Sequence, residues 1–448
     1  MHVVAWPVSV HLLTNTYCPV QQPSVPIPRV VGLDIHPDSF TASLVQGPTP
    51  LAAVVLKTFN KVPIAQLQDW AARHTTASDI LVLEASGNSF HVARLLRAMD
   101  RKALVLESTQ LGRLKEAHAN NDRISATRIA KAYLSGTARQ VWVPDLQTQQ
   151  RRDWFHAHRK AVKNVTSSSN SLGSYLSDNG VRSEGSLLKI SPEQRREFVF
   201  SARSWDPAQR QLLEIALANL EHALQAEARW SSLLAQQVLQ DPKLLQLTRL
   251  CGIRDVIAFA IGAIVGDVSR FESPKALVKY VGLNPAFDDS GKGSWTGGIG
   301  GHGRKDLRAL LIEAGHALLR SHNHPNAKWG RQLLARKGEV ALVVAALARK
   351  LVVQAWYSLH GRSEPLKEIT KPTTLKIGKI ISRVGEAGMK CLGVTRKSLR
   401  EQAEQILLSR GTGREYVLRA DPAPDTSVAP PRAAGRSESP APIPATQT

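Results

Sequence analysis

The run RVVGLDI at residues 29–35 decides the fold of the first half of the chain. Two valines, a glycine and a leucine lead to Asp34 and Ile35, and His36, Pro37 and Asp38 then break the run. That pattern predicts a buried strand whose end presents a carboxylate. Working outward, residues 40–45 and 51–59 read as two further strands with turn residues between them. Residues 64–74 have helical spacing, and ILVLE at 80–84 is a fourth strand that again ends in an acid, Glu84. A helix over 90–99, a fifth strand over 103–106 and helices near 108–119 and 123–135 complete the block. A three-strand meander followed by helix and strand in alternation is the ribonuclease H-like order of an α/β domain.

Asp34 and Glu84 close strands that lie side by side in such a sheet, where paired carboxylates can hold Mg²⁺ for phosphoryl chemistry. Asp122, in the segment HANNDRISATR at 118–128, precedes the last of these helices. An N-cap role suits it equally, and one residue can do both.

The partner class follows from charge. The chain of 448 residues carries 58 Lys and Arg against 37 Asp and Glu, a formal net charge of +21. Residues 94–163 hold fifteen of these bases against six acids, whereas residues 1–28 hold none. A basic field this concentrated suits a polyanion, and nucleic acid is the commonest. Cys18, Cys251 and Cys391 are far apart in sequence, which excludes a disulfide framework and a CxxC-type zinc site and fits a reducing cytoplasm. Apolar runs such as 256–266 are too short to cross a bilayer, and the N-terminus lacks a basic n-region, so no membrane role is expected.

The chain divides into a proline-containing, disordered leader (1–28), the α/β domain (29–145), a helical or coiled-coil segment (146–240), a mainly helical domain (241–362), a basic helical extension (363–420) and a Pro/Ala/Ser-rich disordered tail (421–448). In the second segment, Asp206 and Pro207 make a strong helix start. Leu213, Leu217, Leu220, Leu224, Leu234 and Val238 then form a stripe that suits a helical hairpin, a coiled coil or an ordinary buried face. Residues 247–270 have the look of a helix-hairpin-helix, whose turn amides can bind a DNA phosphate.

The most distinctive stretch is VGLNPAFDDSGKGSWTGGIGGHGRKDLR at 281–308. Its glycine-rich part, 291–303, reads as a loop that lets backbone approach a phosphate, with Lys292, Arg304, Lys305 and Arg308 supplying charge. Ser290 is then a candidate nucleophile. Composition alone favours an ordinary serine in a flexible basic loop.

Taken together, GLDIHPDSF (32–40), LEASGNSF (83–90), NDRISATRIA (121–130), LCGI (250–253), RFES (270–273), YVGLNP (280–285), Ser290-Gly291 and GRKDLR (303–308) resemble the DEDD transposases of insertion sequences and the Piv-type DNA invertases, the IS110 group. The resemblance covers about residues 29–360. It implies a RuvC-like first domain with an Asp-Glu-Asp-Asp tetrad for Mg²⁺ and a second domain bearing a serine nucleophile. It also implies donor and target DNA as substrates, a structured guide (bridge) RNA encoded by the element, dimers that assemble into tetramers, and action in the bacterial cytoplasm. Asp34, Glu84 and Asp122 match the first three acids and Ser290 the nucleophile. The fourth acid belongs three residues after the third, where this chain has Ser125. A neutral hydroxyl adds no charge to the metals, so the site is either weaker, completed by Glu116, or decayed. Arg254 stands where the family commonly has a glycine in its hairpin. A RuvC-like junction nuclease and a domesticated nucleic-acid-binding protein are the alternatives.

Overall fold

Strand β1 (Val30–Ile35) lies inside a six-stranded sheet, and everything in the first unit is arranged around it. The computed structural model describes residues 29–108, 122–290, 293–363 and 366–409, the side chains of 286–297 excepted. The leader, the tail and nearly all of the helix expected at 108–119 fall outside these residues. The described residues divide into two compact units with the boundary between Asp145 and Leu146.

In the first unit, β1 pairs antiparallel with β2 (Ser39–Gln46), which pairs antiparallel with β3 (Val54–Pro63) at one edge. On its other side β1 runs parallel to β4 (Ile80–Glu84), β4 runs parallel to β5 (Lys102–Leu106), and a short antiparallel β6 (Gln140–Val141) ends the sheet. The order is thus β3-β2-β1-β4-β5-β6. Helices α1 (Leu67–His74) and α2 (Ser89–Ala98) make the crossovers, and α3 (Asp122–Leu134) follows β5.

Alternation along β1 sends its residues to different helices. Val31 and Leu33 share one core with Leu81, Leu83, Trp70 and Leu96. Val30 shares the opposite core with Ile80, Val82, Ile129 and Ala130. Gly32 belongs to that second face, and α3 lies directly on it: a Cβ there would collide with the Ala126 carbonyl and the Ala130 amide. Ser43 Oγ and Thr127 Oγ1, 2.8 Å apart, pin the same helix to β2.

The second unit is helical apart from one hairpin. Its two longest helices, α4 (Leu146–Asp178) and α6 (Pro207–Gln240), pack as an antiparallel pair, joined through α5 (Pro192–Ser201). Asp206 caps α6 in a reciprocal capping box with Gln209, and Pro207 is its first residue, as the sequence predicts. The leucine stripe of α6 serves two cores. Leu213, Leu217 and Leu220 pack with Leu172 and Leu176 at the far end of the pair. Leu234 and Val238 join the main core with Phe155. Between these cores His158 Nε2 lies 3.2 Å from Ser231 Oγ.

Helices α7 (Pro242–Leu247), α8 (Asp255–Val265), α9 (Pro274–Val281), α10 (Lys305–Leu319), α11 (Pro325–Lys337) and α12 (Val340–Leu359) surround the main core. Helices α13 (Lys371–Leu392) and α14 (Arg396–Leu408) add Ile377, Ile381, Leu399 and Leu407 to it, so residues 371–408 are integral to this unit. Helix α12 is long and apolar enough for a membrane span by length and composition, which the run-length reading missed because Arg349 and Lys350 interrupt it. In this structure Val343, Leu347, Leu351 and Ala355 face the main core.

The stretch read as a loop over 291–303 is partly a strand. Residues Gly293–Ile299 form β8, paired antiparallel with β7 (Pro285–Ser290).

Candidate functional site

Each candidate half-site sits in its own unit. In the first, the register Leu33↔Leu83 makes Asp34 and Glu84 the next residues along adjacent parallel strands. Asp34 shares the α3 face of β1 with Val30 and Gly32, and Glu84 shares that face of β4 with Ile80 and Val82. Asp122 is the first residue of α3. All three acids therefore belong to one face, at the carboxyl ends of the strands.

The closest set within this group contains a residue that motif reading left unassigned. One ligand atom each from Asp34, His36 and Asp122 lies within 4.8 Å of the others. His36 Nε2 is 3.8 Å from Asp34 Oδ2 and 3.6 Å from Asp122 Oδ1. Glu84 lies outside this tight set. The turn after β1 places the histidine: its backbone N–H donates to the Ser39 carbonyl, and Asn88 Nδ2 donates to its own carbonyl at 3.3 Å. Asn88 lies in the LEASGNSF segment, so that segment positions the His36 backbone as well as supplying Glu84. Ser125 is half-buried one turn along α3 from Asp122, and Glu116 lies outside the described residues.

In the second unit the base of the β7–β8 hairpin is closed by two glycines back to back. Gly282 ends α9 at φ 81° and Gly303 precedes α10 at φ 88°, both in the left-handed region. A Cβ on Gly303 would meet the Gly282 backbone. The Arg304 amide donates to the Tyr280 carbonyl, and Arg308 donates to the carbonyls of Gly282 and His302. Ser290 is the last residue of β7, paired with Gly293 at the hairpin tip. Lys292 lies outside the described residues, and Lys305 is exposed at the start of α10.

Arg304 and Arg308, read from sequence as phosphate contacts, here hold the hairpin base. Arg304 makes a two-pronged contact with Asp306, and His156 Nε2 lies 3.7 Å from Asp306 Oδ2, the oxygen that Arg304 Nη2 also holds. Burial works to raise the Asp306 carboxyl, but His156 and Arg304 hold it well below the ordinary carboxylate range. Burial likewise works to raise the Tyr280 phenol, and Arg304, Arg270 and Arg152 outweigh it and lower its pKa. Arg152 and Arg270 themselves donate to the last carbonyls of α8, at Ala263, Ile264 and Val265. The hairpin thus stands on an arginine-rich, internally satisfied base.

A measurable pH effect follows. A folded-state pKa below the unfolded one means the charged carboxylate favours folding. The contribution of Asp306 is therefore complete above about pH 4, the unfolded carboxylate value, and declines as pH falls below it. Asp306→Asn is expected to lower stability by about 1–3 kcal/mol at pH 7. It should also shrink the difference between urea midpoints at pH 7 and pH 3. Equal midpoint losses at both pH values would contradict this.

In the 247–254 turn Lys376 donates to the carbonyls of Thr248 and Leu250, and burial pushes its pKa down to about 8. Asp255 is buried and paired with Arg254 and Arg383. The Arg254 position thus carries a side chain engaged in this ion pair.

The span from α7 through the hairpin to the start of α11 matches a family model. Residues 245–329 match the family described as Transposase IS116/IS110/IS902 family. The matched segment encloses Ser290 and the glycine pair. The relatives extend over a longer stretch. The chain is 26% identical over 272 residues to "Putative transposase y4qE" of Sinorhizobium fredii, an alignment covering 60% of this chain and 64% of that one. It is 24% identical over 279 residues to the transposase for insertion sequence element IS1111A of Coxiella burnetii, covering 62% and 76%. The chain thus spans a little under two thirds of the first relative's length.

Proposed function

We propose that this protein is a DNA transposase that cuts and rejoins an insertion sequence through a transient serine–DNA bond. The observation that carries this reading is the transposase-family match at 245–329, because it encloses the hairpin that ends β7 in Ser290. The net charge of +21 supports a nucleic-acid substrate. The strand order 3-2-1-4-5, with acids at the ends of β1 and β4, supports a ribonuclease H-like, RuvC-like first unit.

The acidic face suits a divalent ion: two carboxylates and an imidazole nitrogen converge there, and that nitrogen is buried with no hydrogen-bond partner among the described residues. Asp34, Asp122 and Glu84 would hold Mg²⁺. A bound ion would supply charge stabilisation at the phosphorus and lower the pKa of the attacking hydroxyl. Ser290 Oγ would form a bond to phosphorus as a bridging ester oxygen leaves, and the released DNA hydroxyl takes up the proton. Attack by a hydroxyl of the recipient strand would reverse the step and free Ser290. One phosphoester is exchanged for another, so no nucleotide hydrolysis is required. Lys292 and Lys305 would offset charge on the phosphate. Arg304 and Arg308 would keep the hairpin in place. A structured guide RNA would select donor and target DNA, and dimers assembling into tetramers would carry out the exchange.

Incubating the protein with its flanking RNA, donor DNA and Mg²⁺ should yield a covalent protein–DNA adduct that survives denaturing electrophoresis. Ser290→Ala should yield none. Absence of adduct with the unsubstituted protein, or its persistence with Ser290→Ala, would overturn the mechanism. Cleavage that survives Ser290→Ala would mark a junction nuclease working by water attack. Ser125, a hydroxyl one turn from Asp122, favours a second reading, a binding protein without strand transfer. That reading predicts nucleic-acid retention with neither adduct nor cleavage.

A further inference from the structure

We propose that His36 is itself a metal ligand, joining Asp34 and Asp122, and that it gives the site a preference for nitrogen-accepting divalent ions over Mg²⁺. This rests on the reading of the acidic face as a metal site and adds a ligand and a selectivity to it.

Three observations carry the assignment. The first is the state of the ring nitrogen. The His36 side chain is 42% exposed, yet its Nε2 atom is buried and lacks a hydrogen-bond partner among the described residues. Burying a polar atom unsatisfied is unfavourable, so its burial toward two carboxylates calls for an explanation.

The second is distance. At 3.8 and 3.6 Å from the Asp34 and Asp122 oxygens, Nε2 is too far for a hydrogen bond to either. Donor atoms each about 2.1 Å from one ion, at angles between roughly 110° and 130°, lie about 3.4–3.8 Å apart. Both His36 spacings fall in this range, and the three donor atoms all lie within 4.8 Å of one another.

The third is anchorage. The His36 backbone is held on both sides, by its N–H to Ser39 and by Asn88 on its carbonyl. The ring is thus presented from a fixed turn.

The selectivity follows from ligand chemistry. Mg²⁺ takes oxygen ligands and retains water, whereas imidazole suits the later first-row ions. A set of two carboxylates and one imidazole should favour Co²⁺ over Mg²⁺. The competing role for His36 is that of a cation balancing the two acids, and it predicts the opposite sign: removing the cation would raise affinity for any divalent metal.

The test is Co²⁺ binding to the full chain, read by visible absorption and by Mg²⁺ competition, with no nucleic acid present. The unsubstituted protein should bind Co²⁺ more tightly than Mg²⁺. His36→Ala should lose about 10-fold or more in Co²⁺ affinity, at least the loss seen when a residue that only orients a ligand is removed, with Mg²⁺ affinity changing less. His36→Gln, which keeps the side-chain bulk and should fold if His36→Ala does not, should show the same loss. Asp34→Asn should weaken both ions. If both His36 variants keep Co²⁺ affinity within threefold, or gain it, while Asp34→Asn loses it, the His36 assignment is overturned and the acidic site stands. If Asp34→Asn binds both ions as the unsubstituted protein does, or the latter binds neither, the acidic metal site itself is overturned.

Discussion

Asp34→Asn is expected to slow DNA cleavage by about 10³-fold or more while the chain stays folded. Asn matches the shape of Asp, so packing is preserved and only the charge is lost. Asp34 is the most central of the acids: it lies one residue from the end of the strand between β2 and β4, its side chain is only 20% exposed, and it belongs to the tight donor set. A metal at such a site supplies several kcal/mol of transition-state charge stabilisation, and each 1.36 kcal/mol or so is tenfold in rate. The check is the cleavage rate of donor DNA under saturating Mg²⁺, with circular dichroism confirming the fold. A rate within tenfold of the unsubstituted protein would remove Asp34 from the chemistry.

Gly32→Val should be the most damaging single change to the first unit, costing about 3 kcal/mol or more. Its Cβ has nowhere to go: the atoms it would strike are backbone, the Ala126 carbonyl and the Ala130 amide, and no side chain can rotate away. Overpacking a filled core usually costs about 1–3 kcal/mol, and a clash with a helix backbone belongs at the top of that range or beyond it. Either α3 lifts from the sheet or β1 bends. Both outcomes draw Asp122 away from Asp34 and His36, so metal affinity should fall together with the thermal midpoint. Gly173 on α4, which has open space around it, provides the control: Gly173→Ala should be neutral or slightly stabilising. Comparable midpoint losses for the two variants would refute the close-packing account.

Much of this was legible in the sequence because the signals were local. Val30 to Ile35 and Ile80 to Glu84 are short apolar runs bounded by breakers; the first carries Asp34 as its penultimate residue and the second ends in Glu84. Asp206 and Pro207 announce α6 through capping chemistry that needs no tertiary context. The features that escaped are those set by pairing at a distance. Glycine is a poor strand former, so 293–299 reads as a loop until its partner, Pro285–Ser290, supplies the ladder. His36 looks like a turn residue, and its relation to Asp122 depends on a helix that begins 86 positions later. Arg304 and Arg308 also hold Asp306 and the carbonyls of Gly282 and His302, contacts that no local signal announces.

The two cores threaded by α6 give the helical pair a mechanical character. Its 34 residues extend for about 50 Å, rooted in the main core by Leu234 and Val238 and braced at the far end by Leu213, Leu217 and Leu220. A rod stiffened at both ends does not absorb a push by melting in the middle. A single helix that belongs to both cores fixes the distance between them.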